Sequence, residues 1–239
     1  MSKVAIITAR GGSKRIPGKN IKEFCGRPII SYSIQAALES ALFDEVMVST
    51  DSMEIADIAR RYGAVVPFLR SAATSDDYAV MAEVLQEVLN QYKAQGRMFD
   101  TMCCIYPTAP FVTGIKLQKA FDVFEKSRAE MLESVVPFSY PPQRSFFLQK
   151  GLLVYNFPEY VCTRSQDLEM WYHDAGQFYF YNAEVFLKSM EENGEQGGYS
   201  LKCVPFMLTD LEVQDIDNPA DWDLAEAKYR LLQKLDKTK

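Results

Sequence analysis

Apolar and polar positions follow two alternating patterns through the first half of the chain. Short apolar runs that suit buried strands, such as KVAIIT at 3–8 and DEVMVST at 44–50, are each followed by a segment with helical apolar spacing. Further strands are predicted at 64–68 and 101–106, and helices at 29–40, 51–63, about 79–95 and about 113–128. This order predicts an α/β fold, with a mainly parallel sheet and helices on both faces.

Residues that suit helix ends support these boundaries. The helix at 51–63 has Asp51 or Ser52 as its N-cap candidate and stops at Gly63, where a C-terminal glycine belongs. A further amphipathic helix is predicted after NPADW, with Asp217 or Asn218 as a candidate cap.

The alternation breaks at about residues 138–175. This segment is rich in aromatic residues and prolines, contains a hairpin-like QKG and has no long helical period. Excursions of this kind reach a partner or cover a site. The α/β pattern returns at QFYFYNAEVFLKSM, so we expect one domain over 1–239 with an excursion.

Composition excludes several classes of protein. The formal charge of −6 argues against nucleic acid as the main partner. No run approaches the ~18–20 apolar residues of a membrane span, and no signal-peptide pattern is present, so we expect no membrane contact and a cytoplasmic location. The five cysteines form no C-x-x-C, and with a single histidine they are expected to be reduced thiols.

The loop after the first predicted strand, ARGGSKRIPGKN at 9–20, reverses the sign of the charge. Residues 10–27 carry six basic side chains and one acidic side chain, a local charge of +5. Glycine amides and clustered cations predict a site for a phosphate chain, with a solvated basic loop as the alternative. The spacing matches neither a Walker A motif nor G-x-G-x-x-G. The loop lies at the carboxyl end of a strand, where parallel sheets bind ligands.

A second candidate site is the segment VQDIDN. Asp215 and Asp217 are two positions apart, so on an extended segment both carboxylates point to one side. Such a pair suits Mg²⁺, which prefers oxygen ligands and retains water. From spacing alone, these acids fit N-capping of the last helix equally well.

Longer motifs resemble those of a known family, the acylneuraminate cytidylyltransferases, which join CMP to nine-carbon sugar acids. The matching segments cover almost the whole chain and include ARGGSKRIPGKNI, FDEVMVSTDS, YGAVVPFLR and VQDIDNPADW. Two others, YPTAPF and RSQDL…YHDAGQFY, are similar to the branch of that family that uses pseudaminic acid. The sialic acid branch usually has glutamine where this chain has Tyr106.

The resemblance implies a fold, a reaction and site residues. The fold is the Rossmann-like nucleotide-diphospho-sugar transferase fold, and the reaction transfers CMP from CTP to pseudaminic acid for bacterial surface glycans or flagellin. Four residues are expected to be catalytic, namely Arg10, Lys19, Asp215 and Asp217, of which the two aspartates bind Mg²⁺. The expected nucleotide-binding residues are Ala9, Arg10, Gly11, Gly12, Ser13, Lys19, Asn20, Arg70, Asp76, Tyr106 and Thr108. The expected sugar-binding residues are Gln143, Arg144, Arg164, Gln166, His173, Asp174 and Gln177.

Within these sets, charge suggests individual roles. Arg164 suits the sugar carboxylate because arginine binds carboxylates in a bidentate manner. Arg15 is one of the loop cations, but its side chain need not face inward. The aromatic residues Phe178 to Tyr181 are expected to be strand core. His173 and Asp174 are candidates for a general base, although a structural hydrogen-bonding pair is the commoner arrangement. The excursion is expected to form a homodimer, as in the family.

Two other functions stay open. A related enzyme using sialic acid, legionaminic acid or 3-deoxy-manno-octulosonate would share the mechanism. A non-catalytic CTP-binding protein is the alternative of another class, and the presence of both Asp215 and Asp217 argues against it because binding alone does not require a metal pair.

Overall fold

The computed structural model describes residues 1–76 and 78–236. Its strands are β1 (Lys3–Thr8), β2 (Glu23–Phe24), β3 (Arg27–Pro28), β4 (Glu45–Ser49), β5 (Thr101–Ile105), β6 (Met131–Pro137), β7 (Phe146–Gln149), β8 (Leu152–Tyr155), β9 (Tyr172–Asn182) and β10 (Cys203–Met207). Its α-helices are α1 (Ile30–Glu39), α2 (Met53–Arg61), α3 (Met81–Ala94), α4 (Gly114–Ser127), α5 (Ala183–Asn193) and α6 (Pro219–Asp236). None of these helices is long and apolar enough to cross a membrane.

Six of the strands form the central sheet, in the order β10-β6-β9-β5-β1-β4. Strand β9 runs antiparallel to both of its neighbours, and the other pairs in the sheet are parallel. The predicted mainly parallel sheet is therefore confirmed.

The predicted strand at 64–68 is wrong. Only Val65 joins the sheet edge, where its amide donates to the carbonyl of Val46 and its carbonyl accepts from Val48, each at 2.9 Å. Pro67 follows two residues later, and a proline has no amide hydrogen with which to continue the ladder. The segment consequently leaves the sheet after a single bridge.

Helices cover both faces of the sheet, as predicted. Alternate residues of β1 point to opposite faces, so Ala5 and Ile7 pack with α1, α2 and α4, whereas Val4 and Ile6 pack with α3 and α5. All four side chains are fully buried. Both cores are continuous across the parallel strands, which fixes the carboxyl ends of β1, β4 and β5 at one edge.

Helix α6 forms a third core with the β2–β3 hairpin. Trp222 of α6 packs its ring edge-on against Phe24, with ring centroids 5.6 Å apart, and Ile216 is buried beside them. Asn218 caps the helix, because its Oδ1 accepts from the amides of Ala220 and Asp221 at 2.9 and 3.1 Å. The cap candidate is thus Asn218, and the carboxylate of Asp217 is left for other contacts.

The excursion leaves the central sheet after Pro137 and returns at Tyr172, where β9 begins. Strands β7 and β8 form a separate antiparallel pair whose turn is at Lys150 and Gly151. Its apolar side chains are widely exposed, with Leu148 at 74%, Leu152 at 71% and Leu153 at 67%.

Candidate active site

A cleft of about 510 Å³ opens at the carboxyl ends of β1, β4 and β5. This is the edge at which the sequence placed the ligand. Eight of the predicted nucleotide-binding residues line it: Arg10, Ser13, Lys19, Asn20, Arg70, Asp76, Tyr106 and Thr108. The structure therefore brings together positions that are almost a hundred residues apart in the sequence.

Hydrogen bonds to other parts of the chain shape the glycine-rich loop. The amide of Gly11 donates to Oδ1 of Asp51 at 2.8 Å, and the amide of buried Ala9 donates to the carbonyl of Ser49 at 2.9 Å. A side chain at Gly11 would place its Cβ only 3.2 Å from Cβ of Ser52, which is a tight contact. Asn20 is also buried, and its Nδ2 donates to the carbonyl of Arg10 at 2.9 Å. Ala9, Gly11 and Gly12 do not line the cleft.

Cationic side chains surround the cleft from two sides. Arg70 lies on the β4 side, where Nε donates to Oγ of Ser49 at 3.0 Å and Nη2 to its carbonyl at 2.7 Å. Burial lowers the pKa of Arg70 from its ordinary value. Arg10 donates from Nη1 to the carbonyl of Asp76 at 2.9 Å. Arginine side chains that hydrogen bonds hold in position suit the oxygens of a triphosphate.

Lys19 and Arg15 connect this loop to the acidic segment before α6. Nζ of Lys19 donates to the carbonyl of Ile216 at 2.7 Å and lies 3.7 Å from Oδ1 of Asp217. Nη1 of Arg15 lies 2.8 Å from Oδ2 of Asp217. Arg15 also lines the cleft, although the sequence did not require its side chain to face inward.

Asp215 and Asp217 lie on the same side of an extended segment. Ile216, between them, is 1% exposed and points into the α6 core, so its two neighbours point away from that core. Burial, and then the charge of Asp217, raise the pKa of the Asp215 carboxyl, while Lys19 opposes the shift. The described residues contain no group of three or more metal-ligating side chains. Two adjacent carboxylates fit Mg²⁺ that takes its other ligands from water and substrate phosphate.

A second cavity, of about 770 Å³, adjoins the cleft at Tyr106. Asp215 lines it, and so do His173 and Asp174 from the predicted sugar-binding set. The ring of His173 packs on Phe138, with centroids 4.7 Å apart, and its Nδ1 lies 2.8 Å from the carbonyl of Asp174. Candidate nucleotide and acceptor sites are thus adjacent. Asp215 lines the second cavity, and Asp217 contacts Arg15 and Lys19 of the cleft.

A bulge in β9 positions Asp174. The pairing of β6 with β9 changes register between Glu133 and Val135, where Glu133 faces Tyr179 and Val135 faces Asp174. Gly176 lies within the bulge at φ 61°, a conformation that favours glycine. The Asp174 carboxylate accepts hydrogen bonds from the amide of Gly176 at 2.7 Å and from the hydroxyl of Tyr179 at 2.8 and 2.6 Å.

Comparison with known proteins identifies the family. The family model described as cytidylyltransferase matches residues 4–203. The chain belongs to the cytidylyltransferase family. The family membership inferred from the motifs is confirmed.

Relatives and solved structures agree with this membership. The chain is 41% identical to a pseudaminic acid cytidylyltransferase of Campylobacter jejuni serotype O:2 over 97% of each protein. It is 35% identical to a CMP-N,N'-diacetyllegionaminic acid synthase of Legionella pneumophila, over 96% of this chain and 97% of that one. A CMP:2-keto-3-deoxy-manno-octonic acid synthetase complexed with CTP superposes with a TM-score of 0.71 at 18% identity, covering 98% of this chain and 100% of that one. The last comparison confirms the fold.

The other predicted sugar-binding residues do not line either cavity. Gln143 and Gln177 are each 2% exposed. Nε2 of Gln143 donates to the carbonyl of Glu169, and Nε2 of Gln177 donates to the carbonyl of Glu212.

Arg144 donates to the carbonyl of Thr163 on the excursion. Arg164 pairs with Asp167, its Nε 2.7 Å from Oδ2, and Gln166 is exposed nearby. Their sugar-binding roles stay predictions.

Sequence reasoning missed several residues of the site. Tyr179 is strand core, as expected, but its hydroxyl also holds Asp174. Thr74 lines the cleft, and Lys228 lines the second cavity, where its Nζ donates to the carbonyl of Val213 at 2.7 Å. No local motif marks Thr74 or Lys228, and Tyr179 ends the motif YHDAGQFY without any sign of its contact with Asp174. Gly176, an isolated glycine inside β9, is a sequence sign of the bulge.

Proposed function

We propose that this protein transfers CMP from CTP to the anomeric hydroxyl of pseudaminic acid, giving CMP-pseudaminic acid and pyrophosphate. The observation that carries the proposal is the meeting of two cavities at Tyr106: one is lined by cations, and the other holds Asp215. A triphosphate fits the first cavity by charge. A sugar acid bound in the second cavity would be near a triphosphate in the first, as transfer of CMP to its hydroxyl requires.

The proposed reaction is an in-line displacement. The anomeric oxygen bonds to the α-phosphorus, the bond from that phosphorus to the bridging oxygen breaks, and pyrophosphate carries away the electron pair. Arg10 and Lys19 bind the triphosphate and stabilise the charge that develops on it. Asp215 and Asp217 would hold Mg²⁺, which when bound neutralises phosphate charge and favours loss of the hydroxyl proton. His173 and Asp174 face the acceptor cavity, where a base could take that proton.

The choice of pseudaminic acid rests on similarity and on the motif around the acceptor cavity. The identity is 41% to the Campylobacter pseudaminic acid enzyme and 35% to the Legionella legionaminic acid enzyme. Tyr106 and Asp174 both line the acceptor cavity, and both come from the segments similar to the pseudaminate branch. A CMP-sialic or CMP-legionaminic acid synthetase is the alternative enzyme.

The biological setting follows from this reaction. We place the protein in the cytoplasm, where CTP is available, and in the supply of activated sugar for bacterial surface glycans or flagellin. We propose a homodimer formed through the excursion, because a hairpin with Leu148, Leu152 and Leu153 at least 67% exposed is costly to leave in water. In a dimer, Arg144 and Arg164 could approach the neighbouring acceptor cavity.

Pyrophosphate release tests the proposal. The purified protein with Mg²⁺ is assayed with CTP or UTP against pseudaminic, legionaminic and N-acetylneuraminic acids and 3-deoxy-manno-octulosonate. We expect release with CTP and pseudaminic acid, and a product with the mass of CMP-pseudaminic acid. Tight CTP binding without release in any combination would favour a non-catalytic CTP-binding protein.

A further inference from the structure

A third, smaller cavity lies behind Tyr106 and has no role in the reaction described above. It measures about 140 Å³, where roughly 10–15 Å³ suffices for one water molecule, so it has room for a group of several heavy atoms. It adjoins both other cavities: Tyr106 lines all three, and Asp174 is shared with the acceptor cavity. We call it the rear chamber. A substituent of a sugar in the acceptor cavity could enter it.

Glu133 is the unusual residue of the rear chamber. It follows Met131 on the same face of β6, where the neighbouring side chains of β9, Tyr179 and Tyr181, belong to the core. Its half-buried carboxylate has no hydrogen-bond or ion-pair partner in the part of the chain that the structure describes. Burial, and then the charge of Asp174, raise the pKa of Glu133. The carboxylate oxygens keep some exposure to solvent, so a ligand N–H that enters the chamber would meet an acceptor that no protein donor occupies.

Charge and shape restrict what the rear chamber can hold. The carboxylates of Glu133 and Asp174 repel phosphate and the sugar carboxylate, so a neutral group that donates a hydrogen bond is favoured. Met81, Ala82 and Met131 form an apolar patch in the chamber, and the rest of the lining includes four tyrosines, Tyr106, Tyr179, Tyr181 and Tyr199. An acylamino group combines one N–H donor, which a carboxylate can accept, with a methyl group that the apolar patch can cover.

We propose that the rear chamber binds an acylamino substituent of the sugar acid, with the Glu133 carboxylate accepting its N–H. This inference rests on the proposed function, because it requires a sugar acid in the acceptor cavity. Glu133 is then a specificity-determining residue. It selects acids that carry an acylamino group at the position facing Tyr106, and it takes no part in CTP binding.

A substrate pair that differs in a single N–H tests the inference. Pseudaminic acid is compared with two analogues, in each of which one acetamido group is replaced by the O-acetyl ester of the same shape. One analogue carries the ester at the group that enters the rear chamber. With this analogue, the wild-type kcat/KM should be roughly 10- to 100-fold lower than with pseudaminic acid, because the Glu133 carboxylate loses its donor. In Glu133→Met, which has no acceptor, the amide-to-ester ratio should fall close to one. Glu133→Gln keeps an acceptor oxygen and should be intermediate.

Matched measurements keep the test specific. The side chain of Glu125 is exposed on α4, which covers the opposite face of the sheet. Glu125→Gln should therefore keep the wild-type amide-to-ester ratio. The KM for CTP should be unchanged in every variant. Circular dichroism checks that each variant is folded. If Glu133→Met does not fold, Glu133→Gln replaces it as the test variant. An unchanged ratio in Glu133→Met or Glu133→Gln, with both substrates turned over, overturns the rear-chamber inference alone. Absence of any CMP transfer by the wild type overturns the proposed function together with it.

Discussion

Arg15 and Asp217 form an ion pair, with Nη1 of the arginine 2.8 Å from Oδ2 of the aspartate. It joins the basic loop after β1 to the acidic segment before α6. Both side chains are partly exposed, 69% for Arg15 and 37% for Asp217, so the pair contributes little to stability. Its consequence is geometric, because it sets the cations of the nucleotide cleft beside the carboxylates expected to bind metal.

The first prediction compares the loop cations. Arg10→Ala and Lys19→Ala should each lower kcat/KM by ~10²-fold or more, since each removes positive charge from the triphosphate site. Arg15→Ala should lower it less, because Arg15 is 69% exposed whereas Lys19 is 21% exposed and less screened by water. Steady-state kinetics at saturating sugar acid measures the effect. Arg61→Ala, on the exposed side of α2, is the matched control. Equal small effects at all three loop positions would support a solvated basic loop.

The second prediction concerns the acidic pair. Asp215→Asn and Asp217→Asn should abolish turnover and leave the fold intact, because each removes a charged Mg²⁺ ligand while keeping the shape. Titration of activity with Mg²⁺ should show the loss, and Asp223→Asn, exposed on α6, should behave as wild type. If both variants keep near wild-type rates at ordinary Mg²⁺, the metal assignment is wrong.

The third prediction is a pH dependence at the cleft wall. Oε1 of Glu87 accepts from the amide of Ser71 at 2.8 Å, and Oε2 accepts from the hydroxyl of Thr74, which lines the cleft. Burial alone raises the pKa of Glu87, but hydrogen bonds from Thr74, Ser71 and Gln91 outweigh it and leave the pKa below its ordinary value of 4.5.

A lowered folded pKa means that Glu87 stabilises the fold above the unfolded pKa, and that this stability is lost as pH falls through the folded value. Glu87→Gln should therefore lower the thermal midpoint at pH 7 by about 2–6 °C, with the difference from wild type shrinking below pH 4.5. Calorimetry between pH 3 and 7 measures it, with Glu125→Gln as the control. A difference that stays constant across this range would contradict the hydrogen-bond account.

The fourth prediction concerns assembly. Leu148 and Leu153 are directly opposite one another in the β7–β8 hairpin, and both are widely exposed. We expect a dimer at micromolar concentration by light scattering, and Leu148→Glu or Leu153→Glu should give monomers because a buried, unpaired charge is costly in an interface. The side chain of Leu231 is exposed on α6, outside the excursion, so Leu231→Glu should remain dimeric. A monodisperse wild-type monomer would contradict the proposal.

Local patterns predicted most of the fold. The helix expected at about 79–95 is α3 at Met81–Ala94, and the expected alternation recovers the two cores, because burial on one face fixes a regular period. Val65 shows the limit of this reasoning. An apolar run fits a strand, but Pro67 removes the amide needed to extend the ladder beyond one bridge.

Side-chain positions were less predictable. The loop motif located Arg10 and Lys19, since the carboxyl end of β1 fixes where such a loop lies. The Asp174–Tyr179 contact depends on a bulge, and Gly176 indicates that β9 is irregular without showing which side chains the bulge brings together. Arg164 suited a sugar carboxylate by type, but Asp167, three residues away, pairs with it.

The most direct test of the account is the ratio of kcat/KM for pseudaminic acid to that for N-acetylneuraminic acid, measured by pyrophosphate release with CTP and Mg²⁺. The two acids differ in a second acylamino group, a terminal methyl and several stereocentres. A methyl site alone discriminates by ~10²-fold, and polar groups left unpaired by the wrong isomer add to this. We predict a ratio of at least a few hundred, with CMP-pseudaminic acid as the product. Comparable rates on the two acids, or no CMP transfer to pseudaminic acid, would contradict the account.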